Sequence, residues 1–256
     1  VSDERRTAEM ENPGGGVNGL AWSTDGRRLA SVGGGSEPAV RIWAGDSGQL
    51  QLRLNSPGGA LYSVAFSPDG SQLAAAGKDG VIRVWNPSDG SLLQEFQAHQ
   101  SAIWGLAFSL DGQKLYSASS DQTVCAWTAF SGELLWQENT GKRVYALALS
   151  RDGRWLAAGL ENGGFWLSDL NLPGVSIVVP LEQITVNSLA FHPTYPLLAL
   201  GSNQGRVLLY DLNMTAVVNE WTALKGWVLA LAWNTQGDLL ASGGGEGDNR
   251  VIIWGR

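Results

Sequence analysis

The sequence predicts an all-β protein built from six similar units of four short strands. Three observations carry this prediction. A hydrophobic hexapeptide recurs six times, at spacings of 44, 42, 41, 42 and 42 residues. Each copy runs into a turn rich in Gly, Asp or Pro and is followed by three more strand-length runs. The 256 residues include 34 Gly and 12 Trp, which implies many tight turns and a bulky residue recurring at one structural position.

The first run of each unit is VNGLAW from Val17, LYSVAF from Leu61, IWGLAF from Ile103, VYALAL from Val144, VNSLAF from Val186 and VLALAW from Val228. Its fifth position is always Ala (Ala21, Ala65, Ala107, Ala148, Ala190, Ala232), and its third is Gly, Ser or Ala. The sixth is large: Trp22, Phe66, Phe108, Leu149, Phe191 and Trp233. Strand side chains alternate between faces, so one face is small and the other bulky. Such strands pack when crowded around an axis, small face against large face. The second, even-numbered position is expected to share the bulky face.

The turn after this run is Asp-Gly in four copies (Asp25-Gly26, Asp69-Gly70, Asp111-Gly112, Asp152-Gly153), Pro193 to Pro196 in the fifth and Gln236-Gly237 in the sixth. These residues favour tight hairpins because they tolerate positive φ or preset φ. His192, just before the fifth turn, is expected to be a solvated turn residue. A second run such as Leu73 to Gly77 follows, then a third such as Val81 to Trp85, then a more variable fourth such as Leu92 to Phe96. Four strands in about 42 residues is the pattern of a propeller blade, so the expected fold is a β-propeller of six four-stranded blades.

The sixth unit stops after its third run, at Trp254. Glu9-Met10-Glu11 stands at the offset at which other fourth runs precede a first run, as Glu95-Phe96-Gln97 and Glu220-Trp221-Thr222 do. The N-terminal segment is therefore expected to supply the outer strand of the last blade and close the ring. Residues 1–256 then form a single domain, with 1–16 as closing strand and linker and repeats starting near 17, 61, 103, 144, 186 and 228. An excerpt of a longer or seven-bladed protein is the alternative, motivated by the initial Val and the abrupt end at Arg256.

LYSVAFSPDGSQLAAAGKDGVIRVW and IWGLAFSLDGQKLYSASSDQTVCAW resemble the units of WD-repeat proteins, and the resemblance extends over residues 17–256. The Trp that ends the third strand in that family stands at Trp43, Trp85, Trp127 and Trp254, while Ser168 and Tyr210 replace it. The following Asp is kept only at Asp169 and Asp211.

The resemblance implies a non-enzymatic scaffold, adaptor or sensor module that binds a protein or peptide. It assigns His99, Ser117, Asp121 and Trp127 to a structural hydrogen-bond tetrad within one blade rather than to a Ser-His-Asp catalytic set. It also places the second position of each first strand (Asn18, Tyr62, Trp104, Tyr145, Asn187, Leu229) at the rim of a central channel, on the face that usually contacts partners. Tyr62, Trp104 and Tyr145 would form an aromatic arc, with Trp227 just ahead of the last first strand. Lys78, Arg143, Ser120 and Glu161 fall in adjoining loops as a polar border. Aromatics are common interface anchors, but these could equally fill space between blades. Trp136, Trp155 and Trp221 are expected to pack blade edges.

Bulk composition narrows the partners. With 17 Lys plus Arg against 24 Asp plus Glu, a net charge of −7 and a pI near 4.8, little basic surface is available to track nucleic-acid phosphates. One cysteine, Cys125, excludes an intramolecular disulfide and fits a reducing compartment. No apolar stretch reaches the roughly 20 residues of a membrane span, and the charged N-terminus lacks a signal-peptide core. The expected setting is cytoplasmic, as a monomeric ring or a subunit of a larger assembly. Two distant histidines and one cysteine cannot build a His/Cys metal site, and no phosphate-cradling glycine motif is present, so neither metal nor cofactor is expected. The alternatives to a scaffold are an enzyme with a site in the channel, or the sensing end of a larger signalling protein.

Overall fold

A computed structural model describes residues 16–34, 38–172, 174–245 and 248–255. The regular elements among the described residues are all β-strands, arranged as six antiparallel sheets in sequence order. The first sheet comprises β1 (Val17–Trp22), β2 (Arg28–Gly33), β3 (Ala39–Ala44) and β4 (Leu50–Asn55); the second β5 (Leu61–Phe66), β6 (Leu73–Gly77), β7 (Val81–Trp85) and β8 (Leu92–Gln97). The third comprises β9 (Ile103–Phe108), β10 (Lys114–Ser119), β11 (Thr123–Thr128) and β12 (Leu134–Asn139); the fourth β13 (Val144–Leu149), β14 (Trp155–Leu160), β15 (Gly164–Asp169) and β16 (Ser176–Val179). The fifth comprises β17 (Val186–Phe191), β18 (Leu197–Ser202), β19 (Arg206–Asp211) and β20 (Ala216–Thr222); the sixth has β21 (Val228–Trp233), β22 (Leu239–Gly244) and β23 (Val251–Gly255). Each is an up-and-down meander, and the fold class is a six-bladed β-propeller. Residues 1–15, expected to add an outer strand beside β23, lie outside the described residues.

The chain divides into two compact units, one holding the first three sheets and the other the last three together with Gln122–Val124 and the end of β12. In the first unit β1 lies beside β5 and β5 beside β9; in the second β13 lies beside β17 and β17 beside β21. Within each unit, the small face of a first strand meets the blade that follows it. A Cβ on Gly19 would stand 3.0 Å from the Tyr62 carbonyl oxygen, and the Ser63 hydroxyl accepts the Leu106 N–H at 3.0 Å. The bulky face meets the preceding blade, as when the Trp233 indole donates to the Ala190 carbonyl at 3.2 Å. Leu106 and Phe108 are consequently buried.

Apolar cores lie between successive blades. Ala74, Ile82 and Val84 of the second blade pack with Ile103, Phe108 and Leu115 of the third. In the other unit Phe165 and Leu167 of the fourth pack with Val186, Leu198 and Tyr210 of the fifth. Trp136 packs on Tyr116 and Trp221 on Trp254, with ring centroids 6.2 and 5.6 Å apart, while the Arg154 guanidinium covers Trp155 at 4.8 Å.

The four Ser-x-Asp-Gly turns share one construction. Ser23, Ser67, Ser109 and Ser150 each donate a hydroxyl hydrogen bond of 2.5–2.6 Å to the Asp two residues on. The glycine that follows takes φ between 68° and 73°, a backbone region that penalises a side chain. These hydroxyl bonds, with backbone N–H donors, hold Asp25, Asp69, Asp111 and Asp152 below the usual carboxylate value of 3.8. A carboxyl with a depressed folded pKa stabilises the fold fully above its unfolded pKa and loses that contribution as pH falls through the folded value. The unfolding midpoint in urea should therefore hold steady down to about pH 4 and fall below it. A midpoint unchanged between pH 5 and pH 2 would contradict this construction.

His192 departs from the sequence expectation of a solvated turn residue. It is buried, and its Nδ1 accepts the N–H groups of Thr194 and Tyr195 at 3.1 and 2.9 Å. The ring proton therefore sits on Nε2, which donates to the Gly237 carbonyl at 2.8 Å. The ring also lies against Trp233, 4.7 Å between centroids. With Pro193 and Pro196 restricting the turn, the imidazole supplies the acceptor that the Ser-Asp pair supplies in the other turns, and it ties the turn to the sixth blade.

Candidate protein-binding surface

The six first strands share an irregularity at their second residue. In each pairing with the second strand, the first and third residues have consecutive partners and the residue between them has none: Val17 pairs Gly33 and Gly19 pairs Val32, skipping Asn18. Tyr62, Trp104, Tyr145, Asn187 and Leu229 are skipped in the same way. Each is the extra residue of a β-bulge, which breaks the two-residue alternation and re-aims a side chain. The expectation that the second position shares the bulky face with the fourth and sixth is thereby corrected. A signal was present in the sequence, because large residues at positions one, four and six cannot all lie on one face of an unbroken strand.

In the first unit the bulges bring two aromatic rings together. Tyr62 and Trp104 stack with centroids 4.2 Å apart and planes within 5°. The Trp104 indole N–H donates to the Ser120 hydroxyl at 2.8 Å, which fixes the ring from behind. Both rings are half-buried, so they join neighbouring blades and still present surface. Asn18 is exposed and donates its amide to the Leu61 carbonyl at 2.8 Å. Lys78 is also exposed, its backbone N–H bonded to the Ala60 carbonyl at the same end of the blade.

In the second unit Tyr145 is half-buried and its hydroxyl donates to Glu161 at 3.1 Å. Arg143 is exposed, with its carbonyl accepting the Glu161 N–H at 2.9 Å. The Asn187 amide nitrogen is shielded and meets no acceptor among the described residues, while the neighbouring Ser188 hydroxyl donates to the Val228 carbonyl at 3.1 Å. Trp227 and Leu229 are 56% and 48% exposed and leave an apolar patch at the entrance of the sixth blade. The loop behind them is anchored by Asp248, which accepts two bonds from Arg250 and the Lys225 N–H at 2.8 Å. The Arg250 guanidinium and that N–H hold the Asp248 carboxyl far below the usual carboxylate range. Sequence reading had not singled out this anchor, which lies in the glycine-rich insertion of the last repeat.

His99, Ser117, Asp121 and Trp127 meet as one chain. The Trp127 indole donates to the Ser117 hydroxyl at 2.8 Å, Ser117 lies 2.7 Å from His99 Nε2, and His99 Nδ1 lies 2.9 Å from Asp121. Asp121 also accepts the Gln100 N–H at 2.9 Å. Ser117 is fully buried and His99 is 2% exposed, so the serine oxygen is closed to a substrate. Shorter versions of the chain occur where Trp43 donates to Ser31 and Trp254 to Ser242, at 2.8 and 2.9 Å. Among the described residues no group of three or more His, Cys, Asp or Glu could hold a metal ion, and no helix is long and apolar enough to cross a membrane.

Comparison with known proteins agrees with this geometry. The model of the family "WD domain, G-beta repeat" matches residues 5–44, 48–86 and 90–128. That of the "Anaphase-promoting complex subunit 4 WD40 domain" matches 189–254. The "Periodic tryptophan protein 2 homolog" of Caenorhabditis elegans is 28% identical over 91 residues, an alignment that covers 35% of this chain and 9% of that relative. With its repeats, its six meander sheets and these matches on record, the chain belongs to the WD-repeat β-propeller family.

Proposed function

We propose that this domain is a docking module for a protein or peptide, and that the partner seats on the bulged ends of the first strands, with the Tyr62–Trp104 stack as the anchor in the first unit. Domains of this family typically serve as protein-interaction scaffolds and are generally non-enzymatic. The observation that carries the reading is the bulge at Tyr62 and Trp104, which lifts both residues out of the inter-blade alternation into a half-exposed stack. A preformed aromatic pair loses little conformational freedom on binding, and aromatic anchors dominate interface energetics. Asn18 and Lys78 provide a polar border. One matching model is that of a subunit of a larger complex, and membership of a larger assembly is part of this proposal.

The test is quantitative capture of the native partner with wild-type protein and with the Tyr62→Ala/Trp104→Ala double variant. Losing two anchors of about 2 kcal/mol each should lower affinity by two orders of magnitude or more, with the cooperative unfolding transition retained. Equal recovery by the folded double variant would move the binding face elsewhere.

A further inference from the structure

At the opposite end of the blades the first unit carries a second surface. A groove of about 200 Å³ runs between the turn of the second blade that holds Asp69 and Gln72 and the turn of the third that holds Asp111 and Gln113. Phe130, from the β11–β12 hairpin, forms one wall.

Phe130 is 82% exposed, more than any other large hydrophobic residue described. The hairpin does not require it. The matching positions in the first two blades are Asp46 and Ser88, and the glycines two residues on, Gly48, Gly90 and Gly132, share φ of 68–77°. Leu110, beside Asp111, is a second exposed apolar residue at this end of the third blade.

The charged groups lining the groove are Asp69 and Asp111, both carboxylates. One Asp111 oxygen caps its own turn, taking the Ser109 hydroxyl and the Gln113 N–H at 2.5 and 2.9 Å. The other makes no hydrogen bond among the described residues. The Gln72 side-chain oxygen in the same wall is shielded from solvent and accepts no hydrogen bond among the described residues. Two cations stand near. Arg28 is engaged by the Gly70 carbonyl at 3.3 Å and by the Phe66 ring, and Lys114 lies close enough to Asp111 to favour its ionised form.

We propose that this groove is a binding site for an arginine side chain carried on an extended, otherwise uncharged segment of a partner protein. A guanidinium laid on the open Phe130 face gains cation–π attraction. Its fixed fork of donors can reach the free Asp111 oxygen, a charge-assisted bond of the stronger kind. The remaining acceptors, on Asp69 and Gln113, suit a group that offers five donors and no acceptor. An anionic or purely apolar segment would leave the two carboxylates facing it without compensation.

The test uses a fluorescein-labelled Gly-Leu-Arg-Leu-Gly peptide and its citrulline twin, which keeps shape and loses charge. The arginine peptide should bind saturably, and the citrulline peptide about tenfold more weakly or not at all. Phe130→Ser installs the residue of the second blade, so the fold should survive, and binding should weaken about tenfold. Asp111→Asn, with folding checked by thermal melting, should do the same. The Tyr62→Ala/Trp104→Ala variant should bind the peptide as wild type does, which separates this groove from the aromatic stack. Equal binding of the two peptides, no effect of Phe130→Ser, or no saturable binding would overturn the proposal.

Discussion

His99→Ala is expected to lower the unfolding free energy by about 3 kcal/mol, measured as the shift of the urea midpoint in tryptophan fluorescence. The imidazole is the middle link between the Ser117 hydroxyl and the Asp121 carboxylate, at 2.7 and 2.9 Å. Removing it leaves a fully buried hydroxyl without its acceptor and deprives the carboxylate of one of its donors. Each buried polar group left unpaired costs about 1–3 kcal/mol, and the vacated ring volume adds to that. Ser117→Ala should cost about as much, because it takes the hydroxyl away from both the Trp127 indole N–H and His99 Nε2. An effect of His99→Ala below about 0.5 kcal/mol, the ordinary range of a surface substitution, would show that the buried chain does not hold the third blade.

Gly159→Ala should be comparably damaging, about 3 kcal/mol, for a steric reason. An added Cβ would stand 2.4 Å from the Val186 carbonyl oxygen and 2.9 Å from a Val186 methyl, at the start of the next blade's first strand. The oxygen belongs to a backbone already held in a sheet, so relief requires the blades to separate. Gly163, in the turn after β14, is the control within the same unit. A Cβ there would stand an ordinary 3.4 Å from its nearest neighbours, the Glu161 carbonyl oxygen and a Lys142 methylene. Gly163→Ala should therefore be neutral within about 0.5 kcal/mol. Equal effects at the two positions would remove close blade approach as the explanation.

Most of the fold was legible because its determinants are local and repeated. Six Ala at one strand position, and Gly, Ser or Ala two residues before each, state the packing rule between blades without any long-range information. The Ser-x-Asp-Gly turns likewise carry their own hydrogen-bond partners within six residues, and the strands start where the repeats predicted. His192 was misread because its role depends on a residue 45 positions away, Gly237, whose carbonyl receives its proton.

The surface was legible in part. The second position could be singled out by resemblance, yet strict alternation assigned it to the wrong face, because a bulge is a property of the pairing between two strands and not of one strand alone. The exposed Phe130 and its groove went unnoticed in the sequence. A phenylalanine in a hairpin says nothing about the carboxylates that a different blade brings beside it. Asp248 was also missed, since its partners Arg250 and Lys225 lie on two loops that come together only in the folded blade.

Hydrogen exchange on the domain alone and in complex with its captured partner tests the docking surface most directly. Protection on binding is expected in the first unit at residues 60–63, 77–80 and 102–105, the segments that carry Tyr62, Lys78 and Trp104. Protection confined to the outer strands β4, β8 and β12, with those three segments unchanged, would contradict the assignment of the bulged strand ends as the binding face.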